Sequence, residues 1–155
     1  MASRTGYRIV KRKWASSAFD GEGARRFGGR WNSKGVPCVY LSSSISLAAL
    51  EMLVHLQSAD LLQTYALFTL DIPHKHLREL DESELPANWR DDPAPGETAA
   101  IGDEWLRSGE GIALLVPSTV VPLEYNLILN PRHPAFADCI DAAREIAFNF
   151  DQRLK

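Results

Sequence analysis

Val36-Pro37-Cys38-Val39-Tyr40-Leu41-Ser42-Ser43-Ser44-Ile45-Ser46-Leu47-Ala48-Ala49-Leu50-Glu51-Met52-Leu53-Val54-His55-Leu56 joins two different patterns across three serines. Residues 36–41 have the β-branched and aromatic content of a strand. The serines offer an N-cap. Residues 45–56 carry apolar side chains on every face, which predicts a helix buried on most sides. Glu51 is the lone carboxylate in that run, and burial of an unpaired charge is costly enough that it needs a partner or a purpose. His55 lies four residues on and shares its face.

Outward from this unit, strands dominate. Tyr7-Arg8-Ile9-Val10 reads as a short opening strand, and residues 64–72 alternate like another, ended by Pro73. Residues 15–35 hold Gly21, Gly23, Gly28, Gly29 and Gly35, and read as a long loop with a brief strand near residues 30–32. Residues 81–97 are acidic and proline-containing, a surface excursion. Thr98 is placed to cap a helix over about residues 99–108, closed by Gly109 and Gly111. Residues 112–116 and 123–129 read as strands around a turn with Pro117 and Pro122. In the tail, residues 135–145 have helical character and residues 146–150 alternate like a final strand.

The pattern amounts to about six strands and two helices, with strands mostly not separated by helices. It predicts an α+β fold, a single domain over residues 1–155 with a mixed, largely antiparallel sheet. A dinucleotide-binding fingerprint is absent, because Gly21-Glu22-Gly23 lacks the third glycine and the helix start.

Composition narrows the function classes. The 155 residues are 45% hydrophobic and 24% charged, ordinary for a globular chain with a real core. A net charge of −3 argues against a nucleic-acid footprint. The first thirty residues are nevertheless basic (Arg8, Lys11, Arg12, Lys13, Arg25, Arg26, Arg30), which suits a phosphorylated small molecule better than a duplex. Cys38 and Cys139 form neither a disulfide framework nor a ligand set. No signal-like segment opens the chain, and no apolar run is long enough for a bilayer. A cytoplasmic protein with no membrane contact is therefore expected.

The candidate chemistry gathers around Glu51. Arg30 follows Gly28-Gly29, where the backbone approaches closely, and its guanidinium can clamp a phosphate or pair with Glu51 or a loop carboxylate. Tyr40 closes its strand and either stacks on a planar ligand or joins the core. Ser118, in Val116-Pro117-Ser118-Thr119, is a turn residue without a nucleophile elbow around it. Asn126 is an amide in an apolar strand and needs partners if buried. Glu51 and His55 lack further ligands at supporting spacing, and His74, His76 and His133 add none, so no metal is expected.

Several blocks taken together carry a resemblance. Phe19-Asp20-Gly21-Glu22-Gly23-Ala24-Arg25, Gly28-Gly29-Arg30-Trp31-Asn32, Val39-Tyr40-Leu41, Ala49-Leu50-Glu51-Met52-Leu53-Val54-His55, Val116-Pro117-Ser118 and Leu129-Asn130-Pro131-Arg132-His133-Pro134 resemble, in order, the RES domain family. That family is named for an arginine, a glutamate and a serine, matched here by Arg30, Glu51 and Ser118. The chain departs from the pattern at Ala142-Ala143-Arg144-Glu145, which is more helix-like than the resemblance implies.

The resemblance implies an ADP-ribosyltransferase-like fold and the toxin of a bacterial type II toxin–antitoxin pair. Such a toxin destroys NAD by cleaving the nicotinamide–ribose bond, with water or inorganic phosphate as acceptor. NAD is then substrate, and no tightly bound cofactor is implied. Arg30, Tyr40 and Glu51 would be catalytic, and Ser118, Trp31 and Asn126 would bind substrate. The implied partner is an Xre-like helix-turn-helix antitoxin that covers the active site, in a toxin–antitoxin hetero-oligomer or alongside a homodimer. Two rivals stand beside this reading. One is a protein ADP-ribosyltransferase using the same site, the other an inactive module that only binds an antitoxin or a nucleotide.

Overall fold

The computed structural model describes residues 2–154. Among them seven strands form one sheet: β1 (Ser3–Lys11), β2 (Val39–Ser42), β3 (Tyr65–Pro73), β4 (Leu77–Glu79), β5 (Ala113–Pro117), β6 (Tyr125–Leu129) and β7 (Arg144–Ile146). Their spatial order is β4-β5-β6-β2-β1-β3-β7. Only β4 and β5 run parallel, so the mixed, largely antiparallel α+β sheet expected from the sequence is the one observed. Four α-helices accompany it: α1 (Glu22–Phe27), α2 (Ile45–Leu53), α3 (Gly96–Ser108) and α4 (Phe136–Ile140).

Strand alternation divides the core in two. Val39, Leu41, Leu127, Leu129, Ala113 and Leu115 point to one face and pack with Phe136 of α4. Leu114, Val116 and Ile128 point to the other, where Trp31, Trp105 and Leu106 cover them. Tyr40, Ser42 and Asn126 share the parity of this second face.

The sheet is nearly two sheets. β1 and β3 pair along nine positions, from Ser3↔Pro73 to Lys11↔Tyr65. β1 and β2 meet at one register position, Tyr7↔Ser42, and then diverge. Arg8 fills the opening, donating from Nη1 to the Tyr40 carbonyl (3.0 Å) and from Nε to the Ala18 carbonyl (2.6 Å). Those groups satisfy a strand carbonyl that has lost its ladder partner. Burial lowers the pKa of the guanidinium, which still stays charged at any physiological pH.

Several local expectations need correction. The α2 helix is capped by Ser44, whose hydroxyl accepts from the Leu47 N–H at 3.0 Å, but it ends at Leu53, not at residue 56. It is not buried on most sides. Leu47, Ala48 and Leu53 are buried, whereas Leu50 is 42% and Val54 57% exposed. Apolar content shows what a face could pack against, not whether a neighbour exists. The loop expected over residues 15–35 contains α1, and the strand expected near residues 30–32 is an isolated Gly29↔Asn32 bridge.

Further along, α3 begins at Gly96 with Pro95 as N-cap, so Thr98 lies inside the first turn, where its hydroxyl donates to the Pro95 carbonyl. The final strand is residues 144–146 at the sheet edge, paired to β3, rather than residues 146–150. Phe150 instead packs edge-on against Tyr65, 5.0 Å between ring centres. The basic amino-terminal cluster does not form one face either. Lys11 pairs with Asp60, Arg12 with Glu145 and Arg25 with Glu22, while Arg8 is turned inward.

Helix α3 lies hard against the Arg30 loop. A Cβ placed on Gly102 would sit 1.7 Å from the Trp31 carbonyl oxygen, backbone that cannot swing aside. Gly102→Ala is therefore expected to destabilise the fold by about 3 kcal/mol or more. Thermal unfolding checks this, and an unchanged melting temperature would show that the contact is not tight.

Candidate active site

Two polar clusters occupy neighbouring positions on the second face of the sheet. The first is built on Tyr40. Its hydroxyl donates to Asn32 Oδ1 (2.7 Å) and accepts from the Trp31 N–H (3.0 Å). Asn32 is buried, and its Nδ2 donates to the carbonyls of Ala24, Ser33 and Val36. Asp103 of α3 accepts from the Ser33 N–H at 2.9 Å. The loop that presents Arg30 is thus pinned from three sides. Gly29 is required there, because a Cβ would lie 2.7 Å from the Tyr40 hydroxyl. Burial holds the Tyr40 phenol well above its usual pKa, so it stays neutral and serves as a bracket for the loop.

Arg30 is half-buried at the edge of this cluster. Its Nη1 donates to the carbonyls of Trp89 (2.9 Å) and Asp91 (2.8 Å). No ion pair or hydrogen bond joins it to Glu51 or to any carboxylate among the described residues, so the charge-pairing alternative is not what the structure shows. A guanidinium has five N–H donors in a fixed fork. With Nη1 committed, Nε and Nη2 keep three of them without a described partner.

The second cluster is built on Glu51. Ser118 Oγ donates to Glu51 Oε1 at 2.6 Å, and Asn126 Nδ2 donates to the same oxygen at 2.8 Å. Ser118 is fully buried (0% exposed), and its oxygen accepts from the N–H groups of Val120 and Val121, both at 3.1 Å. Glu51 Oε2 has no hydrogen-bond partner among the described residues. The carboxylate that looked anomalous in sequence is therefore held at one oxygen by two neutral donors, with the other oxygen left over.

The clusters are close because Tyr40 and Ser42 lie two residues apart on one strand face, about 7 Å. Ser42 hydrogen-bonds Asn126, which hydrogen-bonds Glu51. Segment 89–91 bridges them a second time. Its carbonyls hold Arg30, and Arg90 Nη2 donates to the Thr119 carbonyl (2.9 Å), next to Ser118.

The six residues singled out from sequence thus fall into one region, though not all with the contacts foreseen. Asn126 touches Glu51 directly. The Trp31 ring is 3% exposed and packed with Trp105 and Leu106, so its own contribution to the site is the backbone N–H on Tyr40. His55 is exposed beyond the end of α2, and no group of three or more metal-ligating side chains occurs among the described residues. Sequence reasoning passed over Asn32, Ser42 and Arg90. Ser42 had a faint signal in its alternation with Tyr40. Arg90 had none, because its partner is a backbone carbonyl.

Cys38 immediately precedes β2, but burial pushes its thiol up to about 12, so it is no nucleophile at neutral pH. A cavity of about 290 Å³ at the far end of α3, lined by Val36, Leu106, Arg107, Asn130, Arg132 and His133, contains none of the candidate residues. No helix among the described residues is long and apolar enough to cross a membrane.

Comparison with known proteins identifies relatives along nearly the whole chain. The chain is 49% identical over 149 residues to "Toxin Res" of Yersinia enterocolitica, covering 96% of this chain and 98% of that protein. It is 37% identical over 146 residues to the "Prs ADP-ribosylating toxin" of Sphingobium sp. strain YBL2, covering 92% and 90% respectively. Among solved structures it matches a chain of the M. tuberculosis MbcT–MbcA toxin–antitoxin complex with a TM-score of 0.74. That match has 22% identity and covers 99% of this chain and 87% of the other. That likeness shows a shared fold. The RES domain model matches residues 5–151, nearly the whole chain, and the protein belongs to the RES domain family.

Proposed function

We propose that this chain is the toxin of a toxin–antitoxin pair and that it consumes NAD by breaking the nicotinamide–ribose bond. The observation that carries the reading is Glu51, a carboxylate bonded at Oε1 by Ser118 and Asn126 and unbonded at Oε2. Cleavage of that bond passes through a ribose with oxocarbenium character. A preorganised carboxylate beside the anomeric carbon lowers such a barrier, because it is in place before the charge develops. Nicotinamide leaves from its cationic form as a neutral molecule, so the leaving group needs no proton donor.

The other residues take roles that fit their contacts. The Nε–H and Nη2–H edge of Arg30 suits two oxygens of the NAD pyrophosphate or of an attacking phosphate. Tyr40 holds the loop that carries Arg30, with Trp31 contributing its backbone N–H to the Tyr40 hydroxyl from within the core. Ser118, fully buried, and Asn126 orient Glu51 beside the ribose. The acceptor is water or inorganic phosphate. Incubation of the purified protein with NAD, with and without phosphate, tests the reading. Free ADP-ribose marks hydrolysis, a phosphorylated ADP-ribose marks phosphorolysis, and intact NAD in both would overturn it.

One observation favours a second reading, transfer of ADP-ribose to a protein: the Sphingobium relative is named as an ADP-ribosylating toxin. Label from adenine-labelled NAD retained on a protein target would support transfer over degradation. The partner side of the proposal is an Xre-like helix-turn-helix antitoxin seated over the site, supported by the fold match to a toxin–antitoxin complex. Unimpaired NAD consumption in a stoichiometric complex with that antitoxin would overturn this placement.

A further inference from the structure

We infer that Ser42 is a positioning residue for Glu51, acting through the side-chain amide of Asn126; the inference rests on the NAD-cleaving reading of the same site. Ser42 Oγ lies 2.8 Å from Asn126 Oδ1, and Asn126 Nδ2 lies 2.8 Å from Glu51 Oε1. The opposite amide orientation would set a carbonyl oxygen against a carboxylate oxygen at that distance, so the hydrogen-bond direction is determined. Ser42 donates to Asn126, and Asn126 donates to Glu51.

Ser118 completes the arrangement from the other side. Its two lone-pair sites receive the N–H groups of Val120 and Val121, which commits its single proton to Glu51 Oε1. The bonds Ser42→Asn126→Glu51 therefore run in one sense and end on Glu51 Oε1, where Ser118 donates from the other side. Hydrogen bonds ordered in one sense polarise each other, so the first member strengthens the last.

The backbone makes Ser42 a firm anchor. It is buried, directly opposite Asn126 in the β2–β6 ladder. It also provides the single register position, Tyr7↔Ser42, that joins the two halves of the sheet. Without its hydroxyl, Asn126 Oδ1 would lose its only described donor, and the amide could rock about its last torsion while still touching Glu51. The consequence is a carboxylate of the right charge in a less defined place. That should lower kcat more than it weakens substrate binding.

The test is a double-mutant cycle on NAD turnover. Ser42→Ala is expected to lower kcat about tenfold, the scale of one buried hydrogen bond, with KM for NAD within about twofold. Ser42→Thr, which keeps the hydroxyl, is expected to recover most of the loss. In an Asn126→Ala background, Ser42→Ala is expected to add no further loss, because its effect runs through that amide. A wild-type kcat in Ser42→Ala, or losses that multiply in the double variant, would overturn the inference.

A second measurement stands apart from turnover. The Asn126 side-chain NH₂ signals in an NMR spectrum should exchange slowly with water in the wild type and faster in Ser42→Ala. Unchanged exchange would overturn the inference even if no variant or wild type consumed NAD. Absence of wild-type turnover, by contrast, would count against the proposed function and leave the amide measurement to decide the role of Ser42.

Discussion

Glu51→Gln is expected to lower NAD turnover by about 10³-fold while leaving the melting temperature unchanged or raised. The substitution preserves shape, and the glutamine carbonyl oxygen can still accept from Ser118 and Asn126, which now reach Glu51 Oε1 at 2.6 and 2.8 Å. What disappears is the negative charge beside the developing ribose cation. Loss of one preorganised electrostatic contact costs roughly 3–4 kcal/mol of transition-state stabilisation, which is about 10²–10³ in rate. The larger figure applies here because the lost interaction involves a full charge.

Stability should move the other way or not at all. Glu51 is a half-buried carboxylate with two neutral donors and no cation among its described partners, so the ground state carries an uncompensated charge. Removing such a charge is commonly neutral or stabilising. A thermal scan and an NAD assay on one preparation therefore give a paired result. Retention of more than a tenth of wild-type turnover would rule Glu51 out as the ribose-side carboxylate.

Arg30→Lys is expected to lower kcat/KM for NAD by about 10²-fold, mostly through KM. A lysine keeps the positive charge but has no planar fork. In the wild type, Nη1 is committed to the Trp89 and Asp91 carbonyls at 2.9 and 2.8 Å, which fixes the plane of the guanidinium. The remaining edge can then meet two phosphate oxygens at once. An ammonium must choose between the carbonyls and the phosphate. Two lost charge-assisted hydrogen bonds, at about 1.5 kcal/mol each on the low side, give the expected hundredfold. Steady-state kinetics of the lysine variant checks this, and an unchanged kcat/KM would remove Arg30 from the phosphate-binding role. Arg30→Ala should in addition free segment 89–91, seen as faster proteolysis there.

The local patterns carried much of the architecture. The alternation of residues 64–72 became β3 (Tyr65–Pro73), the serine before Ile45 became the cap of α2, and residues 99–108 fell inside α3. Strand period, capping and turn chemistry act within a few residues, so a single chain displays them. Glu51 stood out for a similar reason: a carboxylate in an apolar helix is an energetic anomaly whatever surrounds it. The failures share a different cause. The exposed Leu50 on α2 and Val54 at its C-cap look no different in sequence from the buried Leu47 and Leu53, because exposure depends on neighbours from elsewhere. The start of α3 lies three residues earlier because Pro95 and Gly96, which read as loop, are tolerated at a helix's N-terminal end, where the first N–H groups have no intrahelical partner.

Residue types, order and local element signals were thus set by the sequence alone: an α+β pattern, a lone helical carboxylate, a glycine-flanked arginine and a serine in a turn between strands. Tertiary structure alone decided what each of them touches. Ser118 lies 67 residues from Glu51, Asn126 75 residues from it, and Ser42 84 residues from Asn126. Arg30 is held by carbonyls 59 and 61 residues away. Contacts at such separations exist only after the strands have found their order and register. Backbone carbonyls, the partners of Arg8, Arg30 and Arg90, are the same at every position and leave no trace in the sequence. The carboxylate was legible because its cost is local; its positioning was not, because the groups that hold it come together only in the folded sheet.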